Sequence, residues 1–393
     1  MPAPVSVQGA GFFFWSNIVC IKNQSNKIVK AAHNRCSNTI IISLSRGNLF
    51  LNKQKGFKEV ANHENIQLTS AELAALHQNY LGDTMSMFVF GHFLETVEDS
   101  EIKTVVEHAL DISRQHVEGI KETFVKENIP IPIGFTDQDV NKRAPRLFSD
   151  PFYLYYIKHM ARGGLAIYGF IQPHMFRDDI LSFYTKCLQS TIELNNEATD
   201  LLKKKGLSVR PAYIPYPDKN EFIHKQSFLS GFMGDKRPLT GMEITHLFGN
   251  IQTNKLGEAL ATGFSQVAQS KKVTKYFLRG KEIAEKHIKV FSEYLRVENL
   301  PVPMTWDHEV SKSQEAPFSD KLMMFHFGIM NFSGSGNYGM SVAASQRKDI
   351  AAIYARLNAE ILLYAEDGAN IMIDEGWLEQ PPLAADRNDL AKT

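Results

Sequence analysis

Along most of this chain, apolar positions recur at alternating intervals of three and four, the spacing that gathers them on one face of an α-helix. Ile102, Val106, Ala109, Ser113, His116 and Ile120 form one such stripe, and Ile180, Tyr184, Cys187, Thr191, Leu194, Ala198 and Leu201 form another. Leu73, Leu76, Tyr80 and Met87 make a looser one. The stripes then return as Val273, Phe277, Gly280, Ala284, His287, Phe291 and Tyr294, and as Ile350, Tyr354, Leu357, Ile361, Tyr364, Gly368 and Ile371. Narrow stripes of this kind belong to the helices of bundles.

The return is a duplication. Leu68-Thr69 with Glu72 recurs as Leu239-Thr240 with Glu243, Ile129 to Pro132 as Leu300 to Pro303, and Phe148-Ser149-Asp150 as Phe318-Ser319-Asp320. Tyr168-Gly169 matches Tyr338-Gly339, and Arg177 and Asp179 match Arg347 and Asp349. The offset is 171 early and 170 later, so one residue is lost between Pro132 and Phe148. Helix limits repeat too. Thr69 with Glu72, and Thr240 with Glu243, are capping boxes. Pro130 and Pro132 close the second helix, Ser149 or Asp150 and their copies offer caps for the third, and Gly206 and Gly376 end the fourth. The expected architecture is all-α: two tandem four-helix bundles, 65–210 and 239–385, with a linker at 211–238 and a tail at 386–393. The link at 129–147 is long enough to span a bundle of ~40 Å. It leaves both a single-crossover and an up-and-down topology open.

The third helix of the second copy, Leu322 to Ala344, is nearly uncharged and superficially resembles a membrane span. Its Gly, Ser and Asn content, and Lys158, His159 and Arg162 in the matching helix, favour a helix buried on most sides.

Composition adds an asymmetry. At 44% hydrophobic and 22% charged the chain reads as ordinary globular protein. Its zero net charge divides into +7 over residues 1–60 and −7 over the rest. An acidic main body argues against nucleic acid as a partner. Residues 1–60 lack helical periodicity and any counterpart, and read as a disordered extension. Their apolar run from Phe12 to Ile21 is too short for a bilayer. Three cysteines support no disulfide framework, so the expected compartment is the cytoplasm.

Candidate chemistry lies in polar residues on apolar faces. His116 and His287 match, as do Asn79 and Asn250, Asp83 and Asn254, and Glu197 and Asp367. A carboxylate beside a histidine suits iron, manganese or zinc, which makes His116, His287, Asp83, Glu197 and Asp367 the candidate metal residues. A di-iron centre wants a Glu-x-x-His on each of two helices. Neither second helix has one. The spacing occurs at Glu221–His224 in the linker and at Glu243–His246, where Glu243 already serves the cap. In a crossover topology Glu197 sits ~10 Å from His116 along the bundle. The favoured expectation is therefore hydrogen-bonded core histidines, with no cofactor. Cys187, whose copy is Leu357, reads as a small hydrophobe. The methionines at 85–87 and 323–324 read as core filling or an adaptable apolar surface.

Several strings resemble an uncharacterised family of Bacillus-type bacteria catalogued as DUF3231. They include Ile131-Pro132 with Gly134-Phe135-Thr136, Arg146 to Asp150, Arg210-Pro211, Phe232 to Leu239, Ala316 to His326, Tyr364 to Asn370 and Gly376 to Pro382. The resemblance runs from Leu68 to about Arg387. It implies a duplicated, ferritin-like bundle and thereby favours the crossover. That family has no established activity, so no catalytic residue carries over. The expected function is non-enzymatic packing, partner binding or self-association in sporulation or stress, away from membranes. The alternatives are a metal-binding oxidoreductase and an apolar-ligand carrier.

Overall fold

A computed structural model describes residues 66–391, apart from 235 and 305. The extension expected at 1–60 lies outside the described residues. Eight long helices follow one another: α1 (Ser70–Thr96), α2 (Ser100–Lys126), α3 (Asp150–Ile171), α4 (Asp178–Lys204), α5 (Gly241–Val267), α6 (Lys271–Val297), α7 (Asp320–Ala344) and α8 (Lys348–Asp374). A short turn of helix, α9 (Arg387–Leu390), closes the described part. Two isolated β-bridges are the only extended pairings among the described residues.

The helices start and stop where local chemistry says they should. Thr69 and Thr240 accept from the backbone of Glu72 and Glu243, whose carboxylates return the bond to the cap residue. Ser149 and Ser319 cap α3 and α7. After α2 and α6 the chain turns through Asn128 and Asn299 at φ 54° and 56°, and after α4 and α8 through Gly206 and Gly376 at φ 70° and 68°. These are left-handed exits that free the last carbonyls for capping bonds.

Each bundle has one long crossover. In the first, Lys204 pairs with Glu101, His108 with Glu197, and Lys205 with Asp99, so α2 and α4 run antiparallel. Helix α3 is antiparallel to α4 as well, because Lys158 meets Asn195 while Gln172 meets Thr185. Hence α2 and α3 are parallel, and the link at 127–149 travels the length of the bundle. The second copy repeats this through Lys272–Asp374, Arg279–Asp367 and Lys286–Glu360.

The two crossovers interlock. Asp139 of the first accepts from the hydroxyl of Ser319 at 2.7 Å, and its carbonyl accepts from Ser319 N–H at 2.9 Å. Glu309 of the second crossover does the same for Ser149. Each crossover therefore holds the cap residue of the third helix of the other copy. Phe135 packs on Phe325 at 5.0 Å, and Trp306 stacks on Tyr155 at 4.3 Å, completing the exchange. Phe135 and Trp306 are 171 apart and Asp139 and Glu309 are 170 apart, so the lost residue falls between these landmarks.

One apolar core passes through both copies, joining Phe90, Phe93, Phe152 and Tyr156 to Phe264, Phe277, Met323 and Phe327, and each copy keeps a smaller one of its own. This explains why the first and third helices show blurred stripes. The C-terminal half of α1 buries Thr84, Met85, Ser86, Val89, Phe90, His92 and Phe93, on more than one face. Helices α2 and α4 pack chiefly against α1, α3 and each other, so their stripes stay clean. No described helix is long and apolar enough to cross a membrane, α7 included.

Candidate functional site

The matched histidines lie at the same depth of α2 and α6, and the same tyrosine of the third helix meets each. The Tyr168 hydroxyl is 3.4 Å from Nδ1 of His116, and the Tyr338 hydroxyl is 3.0 Å from Nδ1 of His287. What differs is the carboxylate. In the first copy Asp83 on α1 reaches Nδ1 of His116 at 3.1 Å, itself held by Asn79 at 2.8 Å, while Ser190 stands 3.5 Å from Nε2. In the second, Asn254 replaces Asp83 and donates to Tyr338 at 2.7 Å, while Glu360 on α8 replaces Ser190 and lies 3.1 Å from Nε2. The acid has moved from one side of the ring to the other. Each histidine keeps one carboxylate and one tyrosine.

Around His287 the network continues. Asn250 donates to Ser341 at 2.8 Å, and Ser341 meets Nδ1 of His246 at 3.0 Å. His246 is thus engaged away from Glu243, whose carboxylate lies in the cap with Arg237. Burial lowers the pKa of His287 against the opposing pull of Glu360. Glu360 is itself held below the ordinary carboxylate range by Lys286 and His287, which outweigh its own desolvation. The charge on Glu360 is thus balanced chiefly by a lysine, and a neutral imidazole beside it is the state that burial favours.

The structure does not gather the five metal candidates. His116 and Asp83 meet, but Glu197 pairs instead with His108 at 2.5 Å and is about one-third exposed. Asp367 turns outward to Arg279. The crossover register is the reason: it sets position 190, not 197, opposite His116, and 360, not 367, opposite His287. Among the described residues no group of three or more His, Cys, Asp or Glu is placed to hold a metal ion. The partners that the sequence reading missed are Tyr168 and Tyr338, Ser190 and Glu360. The tyrosines were visible as a repeated Tyr-Gly pair. Ser190 and Glu360 differ between copies and left no repeat to notice.

Beside the His287–Tyr338 pair, a cavity of about 60 Å³ opens among Asn254, Gly280, Ala284, Asn331 and Tyr364. A space of that size takes ordered water or a small solute. It does not hold an acyl chain.

Residues 57–219 and 227–390 each match the model of a family described as a protein of unknown function, DUF3231. The chain belongs to that family. Both matches fall on one bundle each, so the family unit is the bundle and this member carries two. No curated protein matches the chain by sequence. Among solved structures, a candidate spore coat protein from Bacillus halodurans is similar at 15% identity, with a TM-score of 0.35. The likeness covers 38% of this chain and 98% of that one.

Proposed function

We propose that this DUF3231 member is a non-enzymatic cytoplasmic protein that acts by contact, through self-association or a protein partner, in the sporulation or stress response of a Bacillus-type bacterium. One observation carries the reading: the outer face of α7. From Leu322 to Gln346 the sequence has no Asp, Glu, Lys or Arg. Gly328, Phe332, Gly336 and Met340, spaced by four, point to solvent, with Phe332 65% and Met340 63% exposed. An uncharged ridge with glycines between large apolar side chains lets another surface approach closely, and exposed faces of this kind mark contact sites. The buried polar groups support the same reading, since His116 and His287 spend their ring nitrogens on side chains of their own bundle.

The test places a photo-crosslinking residue at Met340 and follows adducts in sporulating and in growing cells. The expected result is a discrete adduct, to a second copy or to one protein, that disappears when Phe332 is replaced by Asp. A Phe332→Asp protein that folds normally and keeps every adduct would sink the proposal.

A further inference from the structure

Where the two copies meet, equivalent positions of α3 and α7 face each other. The Tyr156 hydroxyl lies 2.9 Å from Nε2 of His326. Seven residues on along both helices, a methyl on Gly163 would stand 4.0 Å from the Ser333 hydroxyl. Positions seven apart return to nearly the same side of a helix, about 20° off. The next step along this stripe is therefore Phe170 on α3 and Met340 on α7, again equivalent. There the contact is not closed: Phe170 is 72% exposed and Met340 63%. One turn earlier stand Ala166 and Gly336, and just before the large residues Gly169 and Gly339, all four exposed. A methyl added to any of these three glycines would meet nothing within 4 Å. From Gly163 to Phe176, and from Ser333 to Gln346, the sequence has no Asp, Glu, Lys or Arg. The interface between the copies thus runs out into solvent as two like helix ends, each uncharged, with a small residue one turn before a large one.

We propose that this end of α3 and α7 pairs with the same end of a second copy, making a dimer of the whole chain. The inference deepens the contact reading of α7 and rests on it. Three features select a second copy. The exposed strip continues an interface already made between equivalent helices. It carries the twofold relation of that interface, so its two halves present the same shape. A partner that satisfies both halves must have like halves of its own, which an isologous contact provides. The relief is also self-complementary. With the second copy turned end for end, Phe170 and Met340 of each chain settle over Ala166 and Gly336 of the other. Large apolar side chains on an uncharged surface are what the centre of such a contact uses.

The experiment follows the full chain by sedimentation velocity over a wide range of concentration, with a photo-crosslinking residue at Phe170 as second readout. Wild type should reach twice the mass of one chain as concentration rises, and the Phe170 adduct should join tagged to untagged chains in a mixture. Phe170→Glu with Met340→Glu should weaken the dimer about a hundredfold or more, because two charges per chain would enter the contact. Circular dichroism checks the fold of that variant, and the adduct decides alone if it does not fold. A wild type that stays monomeric, or a dimer that the paired substitution leaves as strong, overturns the proposal. So does a monomer whose Phe170 adduct lies within one chain, which would assign the strip to the chain's own residues 1–65. A monomer that still gives the Met340 adduct to another protein in cells overturns the dimer alone and leaves the contact reading standing.

Discussion

Tyr156 and His326 occupy the same position in the two copies, 170 residues apart, and they bond to each other, hydroxyl to Nε2 at 2.9 Å. Equivalent residues can meet only on the axis that exchanges the copies, so this pair marks a pseudo-twofold. Gly163 and Ser333, also equivalent, are neighbours further along the same helices, where a methyl on Gly163 would lie 4.0 Å from the Ser333 hydroxyl. The arrangement is that of a symmetric dimer held within one chain, with the isologous contact such symmetry requires.

The pair makes stability depend on acid. His326 is fully buried, its Nδ1 has no hydrogen-bond partner among the described residues, and desolvation moves its pKa down to about 4. An unfolded histidine titrates near 6.5. Between these values the unfolded chain binds the extra proton, so the contribution is complete above about pH 6.5 and is lost as pH falls to about 4. It amounts to about 3 kcal/mol for this one group. Denaturant midpoints measured from pH 7.5 to 4.5 should fall more steeply for wild type than for His326→Asn. Parallel curves would show that the imidazole charges freely in the folded state.

Tyr276 and Tyr364 stack at 4.2 Å, and each hydroxyl sits over a glycine of the facing helix. A methyl on Gly280 would lie 2.3 Å from the Tyr364 hydroxyl, and one on Gly368 would lie 2.4 Å from that of Tyr276. The first copy has Ala109 and Ala198 with Val105 and Leu194 in these places, so small and large residues have traded together. Gly280→Ala alone should cost about 1–3 kcal/mol from overpacking. Adding Tyr364→Leu should recover much of it, a coupling readable in a double-mutant cycle. Strict additivity would contradict the packing account.

Glu243 is fully buried and joins three things: its own cap, a bidentate Arg237 and the Arg347 backbone N–H at the start of α8. Despite desolvation, these bonds hold its pKa at about 2. Its stabilisation is complete above about pH 4.5 and is lost as pH falls through 2. Glu72 has the cap and the Phe176 and Arg177 backbone bonds, but Ile66 stands where Arg237 would be. Glu243→Gln should therefore cost about 1–3 kcal/mol, by leaving the half-buried Arg237 guanidinium without its carboxylate, and Glu72→Gln clearly less. Equal losses in urea unfolding would rule out the arginine as the difference.

His116 and Asp83 bring one imidazole and one carboxylate together, short of a metal site. Elemental analysis of protein from native-like cells should find no stoichiometric iron, manganese or zinc, and His116→Ala with His287→Ala should leave the content unchanged. Stoichiometric metal that vanishes in the double variant would restore the oxidoreductase reading.

Repetition and periodicity were enough to read two copies, four helices in each, and most helix limits, because stripes, capping boxes and turn residues are local properties of the chain. Thr69 with Glu72, Ser149 and Gly206 act within a few residues of themselves and needed no partner to be recognised. The periodicity also put His116 and His287 on buried faces. It did not say what they would meet. Periodicity fixes which face of a helix is apolar, whereas the height at which two helices meet is set by the link between them. The parallel course of α2 and α3 therefore placed Ser190 and Glu360 beside the histidines and sent Glu197 and Asp367 outward. The exchange of crossovers, with Asp139 holding the α7 cap Ser319 and Glu309 the α3 cap Ser149, joins residues 160 to 180 apart in the sequence. Only the folded chain brings such distant residues together, and so only tertiary structure ran a shared core through the two repeats.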